Sequence, residues 1–336
     1  MNVIHRVVLV TLSVFAIGLA GCGDGDDGQP ASGSTRTQNT APSSAAPSNK
    51  PSPNASAAEV AKEARGKVSC PAKIQTAARA PDAPVDDVVG VRPGLTYDEA
   101  ANLILCSDEL MVVALNNRRH FNIQTYSQEV RQGMSGRTAK ERVQKTSQQI
   151  MQEMQNNAMA RANNAVVRDL QPGEAKWHVG TMGLPGQERV IQVAREEWFA
   201  ADRKPPLASV QQALLDKYGT PTGTNERGRG HAITWAYDPF GRLITETSPL
   251  FGRCTGNPDP DAGVNLSPDC GIVVTAAVYP PRDNPELAEY MQVSVVDQAN
   301  GYELITTTEQ ELQRMENDRR AKEVEDAAQN ADKPML

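Results

Sequence analysis

Aromatic side chains are scarce in this chain: they make up 4% of 336 residues, within a hydrophobic content of 39%. Large apolar groups supply most of the burial that offsets ordering entropy. A chain this poor in them is expected to fold over part of its length only, with a modest core and a substantial disordered stretch. Long Lys/Arg runs are also lacking, and the formal net charge is −7. Both features argue against a nucleic-acid partner, which needs a basic patch. No CxxC, HExxH, GxSxG or P-loop pattern occurs, so the sequence gives no ground for zinc, serine-nucleophile or nucleotide-phosphate chemistry. The four histidines, His5, His120, His178 and His231, sit in no triad or ligand spacing. They read as packed or exposed residues, and the glycines of GRGH and GLPGQE read as turn glycines. No catalytic set, metal or cofactor is expected.

What is present begins at the amino terminus. MNVIHR carries Arg6, and Val7 to Ala20 is an apolar run of signal-peptide length. It is too short for a comfortable transmembrane helix, which needs about 20 apolar residues. Leu19-Ala20-Gly21-Cys22 follows and resembles the lipobox of bacterial lipoproteins. That resemblance implies cleavage before Cys22, acylation of Cys22 as the lipid attachment site, and a membrane partner reached through N-terminal acyl chains. Gly23 follows the cysteine, and Asp24 stands one place later than the acid that favours inner-membrane retention in enteric lipoproteins. The resemblance therefore implies a cell-envelope address, with the outer membrane facing the periplasm favoured over the inner membrane.

With Cys22 assigned to the anchor, Cys70, Cys106, Cys254 and Cys270 remain. An even count in an exported chain suggests disulfides, and four cysteines allow three connectivities. Cheap closure of short loops favours Cys70–Cys106 and Cys254–Cys270, though sequence alone does not choose.

From Gly23 to about Ser56 the chain holds Gly, Ser, Thr, Pro, Ala, Asn and Asp and reads as a flexible tether. AAEVAKEARGKVSC suggests a short helix. Val88 to Val91 reads as a short extended segment, and Thr96 with Glu99 forms a capping box that starts a helix near Tyr97. Leu110 to Leu115 suits a strand, although so short an apolar run also allows a helix. Thr138 to Val167 lacks Pro and Gly and is rich in helix formers, with Val143, Ile150, Met151, Met154, Met159 and Val166 as a weak apolar stripe. It reads as a long surface helix that either packs on its own domain or binds.

In the second half, KWHVGTMGL and RVIQVAREEWF read as a hairpin with Val190, Gln192 and Ala194 on one side and Ile191, Val193 and Arg195 on the other. Ser209 is the expected N-cap of a helix ending at Gly219. HAITWAYD and RLITETS flank Pro239-Phe240-Gly241 as a second expected hairpin, with TPTGTNERGRG as a loop before it. Phe251 to Asp269 is a long loop whose Asp259, Asp261 and Asp269 read as solvated acids, because EF-hand spacing fails. GIVVTAAVYP and MQVSVVDQ read as strands, and a charged helix spans about Thr308 to Ala328. Arg118, Arg119 and His120 form a small cationic cluster.

The expected fold is α+β: an antiparallel sheet of hairpins with a few packing helices, disulfide-stapled and preceded by a disordered tether. The expected organisation is signal 1–21, anchor and linker 22–58, a mostly helical region 59–170, an α+β domain 171–328 and a tail 329–336. Two local features are similar to the SmpA/OmlA outer-membrane lipoproteins that accompany the β-barrel assembly machinery. One is Gly94-Leu95-Thr96 before a helix, and the other is LLDKYGTPT followed by ITWAYD. The chain is thus expected to be a lipid-anchored periplasmic protein with a non-enzymatic binding or scaffolding role, and an envelope protein is an open partner. Two alternatives stay open: an envelope hydrolase or modifying enzyme with a dispersed site, and an inhibitor presenting the Cys254–Cys270 loop.

Overall fold

The structure is a computed structural model that describes residues 52–115, 121–162 and 169–332. The expected signal segment, Cys22, the tether to residue 51, the cluster Arg118, Arg119 and His120, and Val166 lie outside the described residues.

The described residues form five helices and eight strands. The helices are α1 (Ala57–Arg65), α2 (Tyr97–Ser107), α3 (Ser147–Ala162), α4 (Leu207–Tyr218) and α5 (Gln298–Asn330). The strands are β1 (Met111–Leu115), β2 (Gly133–Thr138), β3 (Ala175–Met182), β4 (Arg189–Trp198), β5 (Gly223–Arg227), β6 (Gly230–Ala236), β7 (Ile272–Tyr279) and β8 (Tyr290–Asp297). They form one antiparallel sheet in the order β1-β2-β3-β4-β8-β7-β6-β5. The fold is α+β, and its staples are Cys70–Cys106 and Cys254–Cys270, each with 5.5 Å between Cα atoms.

Burial explains the central strands. On one face, Trp177, Val179, Val193, Val293, Val295, Val274 and Trp235 meet α2 and α4. Trp235 is fully buried against Tyr218, and its indole N–H donates to the Gly219 carbonyl at 2.8 Å. Gly136 lets α2 approach the sheet: a Cβ there would sit 2.6 Å from the Ile104 side chain. The other face buries polar groups, among them Gln192, Glu196, Gln292 and Ser294. Both faces are therefore covered, and strands read as near-continuous buried runs rather than alternating ones.

The capping box starts α2 as the sequence suggests, with Thr96 and Glu99 bonded reciprocally. Glu99 has a second task. Its burial would raise its pKa, but the Thr76 hydroxyl and the N–H groups of Thr96, Thr76 and Gln75 donate to it and hold it at about 2. One carboxylate thus caps a helix and pins the strand-less segment before it.

Several expectations are corrected. Residues 51–336 form one compact unit, so no boundary falls at 170. The region expected to be mostly helical contributes β1 and β2 to the shared sheet. The stretch read as helix from Thr138 opens instead on the last residue of β2, and α3 begins only at Ser147. The ordered part begins before residue 59: Ala55 pairs with Arg142, and Ser56 caps α1. A register shift between Gly180 and Thr181 breaks the β3–β4 alternation, so Val190 and Val193 share one core while Ile191 joins another. The hairpin partner of β6 is β5, in the stretch read as a loop, while RLITETS makes a single bridge at Leu243. Pro206, not Ser209, is the N-cap of α4. Asp297 caps α5 ten residues ahead of the expected start, and the helix runs to Asn330, into the expected tail. From Asn317 onward α5 is exposed on every side. Its ion pairs are local, with Glu316 between Arg319 and Arg320 and held at about 2 by those donors.

Candidate functional site

The clearest cavity with an apolar lining opens between α4, the sheet and a tight hairpin, with a volume of about 450 Å³. Its wall on α4 is Val210, Ala213, Leu214 and Tyr218, and its floor is Met291 and Val293 of β8 with Phe199 after β4. The i, i+3, i+4 spacing of the α4 residues puts them on one helix face. The volume falls within the range of small-ligand sites, which are mostly apolar and concave.

The hairpin at its mouth is strained. Val88 and Val91 exchange backbone hydrogen bonds at 2.9 and 3.0 Å, and the two residues between them, Val89 and Gly90, have φ of 47° and 81°. Two positive φ values in a two-residue turn favour Asn-Gly. A β-branched residue there is an outlier costing on the order of 1–3 kcal/mol. Val89 is also 51% exposed, so the strain holds an apolar side chain at the edge of an apolar cavity. Asp87 ties this turn to α4: it accepts from the Gly90 N–H and from Lys217 at 2.8 Å, while the Tyr218 hydroxyl donates to its carbonyl at 2.9 Å. Burial, with Asp87 and Asp86 nearby, pushes the Tyr218 phenol well up. The charged rim is internally paired, Lys217 with Asp87 and Arg195 with Glu197.

Asp86 lies beneath the same hairpin, 4% exposed and 2.5 Å from the Arg79 guanidinium. Burial outweighs Arg79 and Arg92 and pushes its carboxyl up to about 6. The folded state therefore favours the protonated form. Its stabilisation is fully present below about pH 4 and is lost as pH rises through 6, a change on the order of 3 kcal/mol. Asp86→Asn is expected to remove that slope. Urea unfolding at pH 4 and pH 7.5 measures it; parallel curves for both proteins would contradict the assignment.

A second, polar cavity of about 320 Å³ gathers Lys176, Glu196, Asp259 and Asp261. Each of the two central groups is engaged. Glu196 accepts from the Trp198 indole at 2.7 Å and the Gln292 amide at 2.8 Å, and Lys176 binds Asp261 at 2.6 Å. These bonds clamp the stapled loop to the sheet. Val264 and Leu266 of that loop pack with Ile191 and Leu304, and Gln298 donates to the Thr255 carbonyl. The loop lies on the body rather than projecting, which removes the premise of the presented-loop inhibitor.

The remaining sequence candidates are dispersed. Asp269 pairs with Arg253, so the three loop acids do not converge. His178 is buried on β3, and His231 meets Glu226 at 3.0 Å on the outer hairpin. Among the described residues, no group of three or more His, Cys, Asp or Glu is placed to hold a metal. The stripe on α3 is not packed: Ile150, Met151, Met154 and Met159 are 47–66% exposed. Among the described residues, no helix is long and apolar enough to cross a membrane. The groove leaves no signal in the sequence, because its parts, a Val-Gly turn and three separate segments, carry no motif. No family model, curated protein or solved structure matches the chain.

Proposed function

We propose that this chain is a lipid-anchored protein of the cell envelope, on the periplasmic side of the outer membrane, that binds the acyl part of an amphiphile without catalysing a reaction. The observation that carries the reading is the groove under α4, with a strained, exposed valine at its mouth. Strain of this kind persists where the surrounding structure fixes it, and it clusters at ligand clamps and other functional sites. The Leu19-Ala20-Gly21-Cys22 sequence supports the anchor. Two disulfides support an oxidising compartment. An anchored protein meets acyl chains at high local concentration, which makes them the natural occupant of an apolar, concave site.

Val89→Asn separates binding from folding. Asparagine suits a positive φ, so the variant is expected to gain about 1 kcal/mol of stability. It also removes the apolar mouth, so affinity for a fluorescent fatty acid is expected to fall several-fold. Ala213→Trp, at an exposed position on the groove wall, is expected to abolish the binding by filling the space. The measurement is a fluorescence titration on the full mature chain carrying Cys22→Ser, which frees it of detergent. Saturable binding that both variants leave unchanged would place the acyl site elsewhere.

A further inference from the structure

We infer that a second cleft, beside the N-terminal turns of α5, is a binding site for a phosphoryl group. It has a volume of about 510 Å³ and is lined by three guanidinium groups, Arg79, Arg92 and Arg189, facing Asp297 and Glu303. The three arginines come from separate segments: the stretch after the first disulfide, the turn before α2, and the start of β4. The fold, not the local sequence, brings them together.

Their partners differ in a way that matters. Arg79 is held by Asp86 and lies 3.6 Å from Asp297, which also caps α5 and accepts from the Asn300 amide at 2.7 Å. Both groups are therefore committed to structure. Arg92 is aimed by carbonyls instead, donating to Ala77 at 2.5 Å and to Pro93 at 3.4 Å. Carbonyls orient a guanidinium without cancelling its charge, and Asp86, which also feels Arg92, is bonded to Arg79 instead. Arg189 is exposed and, among the described residues, forms no ion pair with a carboxylate. Two charged forks thus face a cleft in which Glu303 is the one acid without a structural task. Planar forks of this kind match the oxygens of a phosphoryl group, to which they donate pairs of charge-assisted hydrogen bonds. Glu303 opposes an anion, so its charge sets the affinity low and tunable. The class of ligand is a terminal phosphate, whether on a soluble molecule or as the monoester headgroup of a phosphatidic-acid lipid.

The test uses the full mature chain carrying Cys22→Ser. Calorimetry with inorganic phosphate and flotation with phosphatidic-acid vesicles, against phosphatidylcholine vesicles, separate the two sources. Phosphate binding by itself identifies a soluble ligand, whereas retention on phosphatidic-acid vesicles alone identifies a headgroup. In either case Arg189→Gln, at an exposed position, is expected to weaken binding about tenfold. Glu303→Gln is expected to strengthen it several-fold, and raised salt to weaken it. Val89→Asn is expected to leave it unchanged, which keeps this site separate from the apolar groove. Failure of both probes to bind, or binding indifferent to Arg189 and Glu303, overturns the inference.

Discussion

Replacing Cys22 with alanine is expected to move the protein from the membrane fraction to the soluble fraction almost completely. The size of the effect follows from hydrocarbon burial. Each buried CH₂ contributes about 0.8 kcal/mol, one acyl chain gives only marginal attachment, and two or more hold a protein in place. The proposed anchor is one thiol and the amine beside it, and among the described residues no helix is long and apolar enough to cross a membrane. Fractionation of cells expressing the full precursor is the measurement, with mass spectrometry of the mature N-terminus to read the added acyl mass. An unchanged membrane fraction would remove both the anchor and the argument that places acyl chains near the groove.

Arg131→Ala is expected to destabilise the folded body by about 3 kcal/mol. Glu188 has a fully buried side chain, and Arg131 is its countercharge at 2.8 Å, while the Arg131 backbone N–H donates to its other oxygen at 3.2 Å. Burial would raise the Glu188 pKa, and the Arg131 bond reverses that to a lowered one. Removing the arginine strands a charge, which typically costs 3–5 kcal/mol. Arg131 is 29% exposed, so some water already reaches the pair and the lower end applies. The pair also joins three elements: the Glu188 carbonyl accepts from the Tyr97 N–H at the start of α2, and the guanidinium lies 4.2 Å from the Tyr97 ring centre. Adding Glu188→Gln to the arginine variant is expected to recover part of the loss, since a neutral amide tolerates burial better than a lone carboxylate. Urea unfolding of the two single variants and the double variant gives the coupling. A loss below about 1 kcal/mol in Arg131→Ala would show that the pair is solvated after all.

The parts of the fold legible in sequence are those whose signal is local. The Thr96–Glu99 box, the apolar runs of β7 and β8, and the short disulfide loops each depend on residues close in the chain. β2 was not legible, because Gly-Met-Ser-Gly-Arg-Thr becomes a strand only where α2 needs a partner that glycine leaves room for. β5 is an edge strand of exposed polar residues and carries no apolar alternation to read. The groove and the arginine cleft were illegible for the same reason. Each is assembled from segments that the sheet brings together across a hundred residues or more of chain. A positive φ at Val89 is likewise a property of the closed hairpin and leaves no mark in the letters Val-Val-Gly-Val.

The last turns of α5 have a mechanical meaning. From Asn317 to Asn330 every residue of the helix is exposed, and rows of Arg and Glu three and four residues apart support the helix from within. At 1.5 Å per residue these turns form a spacer of about 20 Å. Its length is set by residue count alone, so removing seven residues shortens the reach by about 10 Å and leaves the core untouched. Its stiffness, resting on solvent-exposed charge, is a property that ionic strength sets from outside.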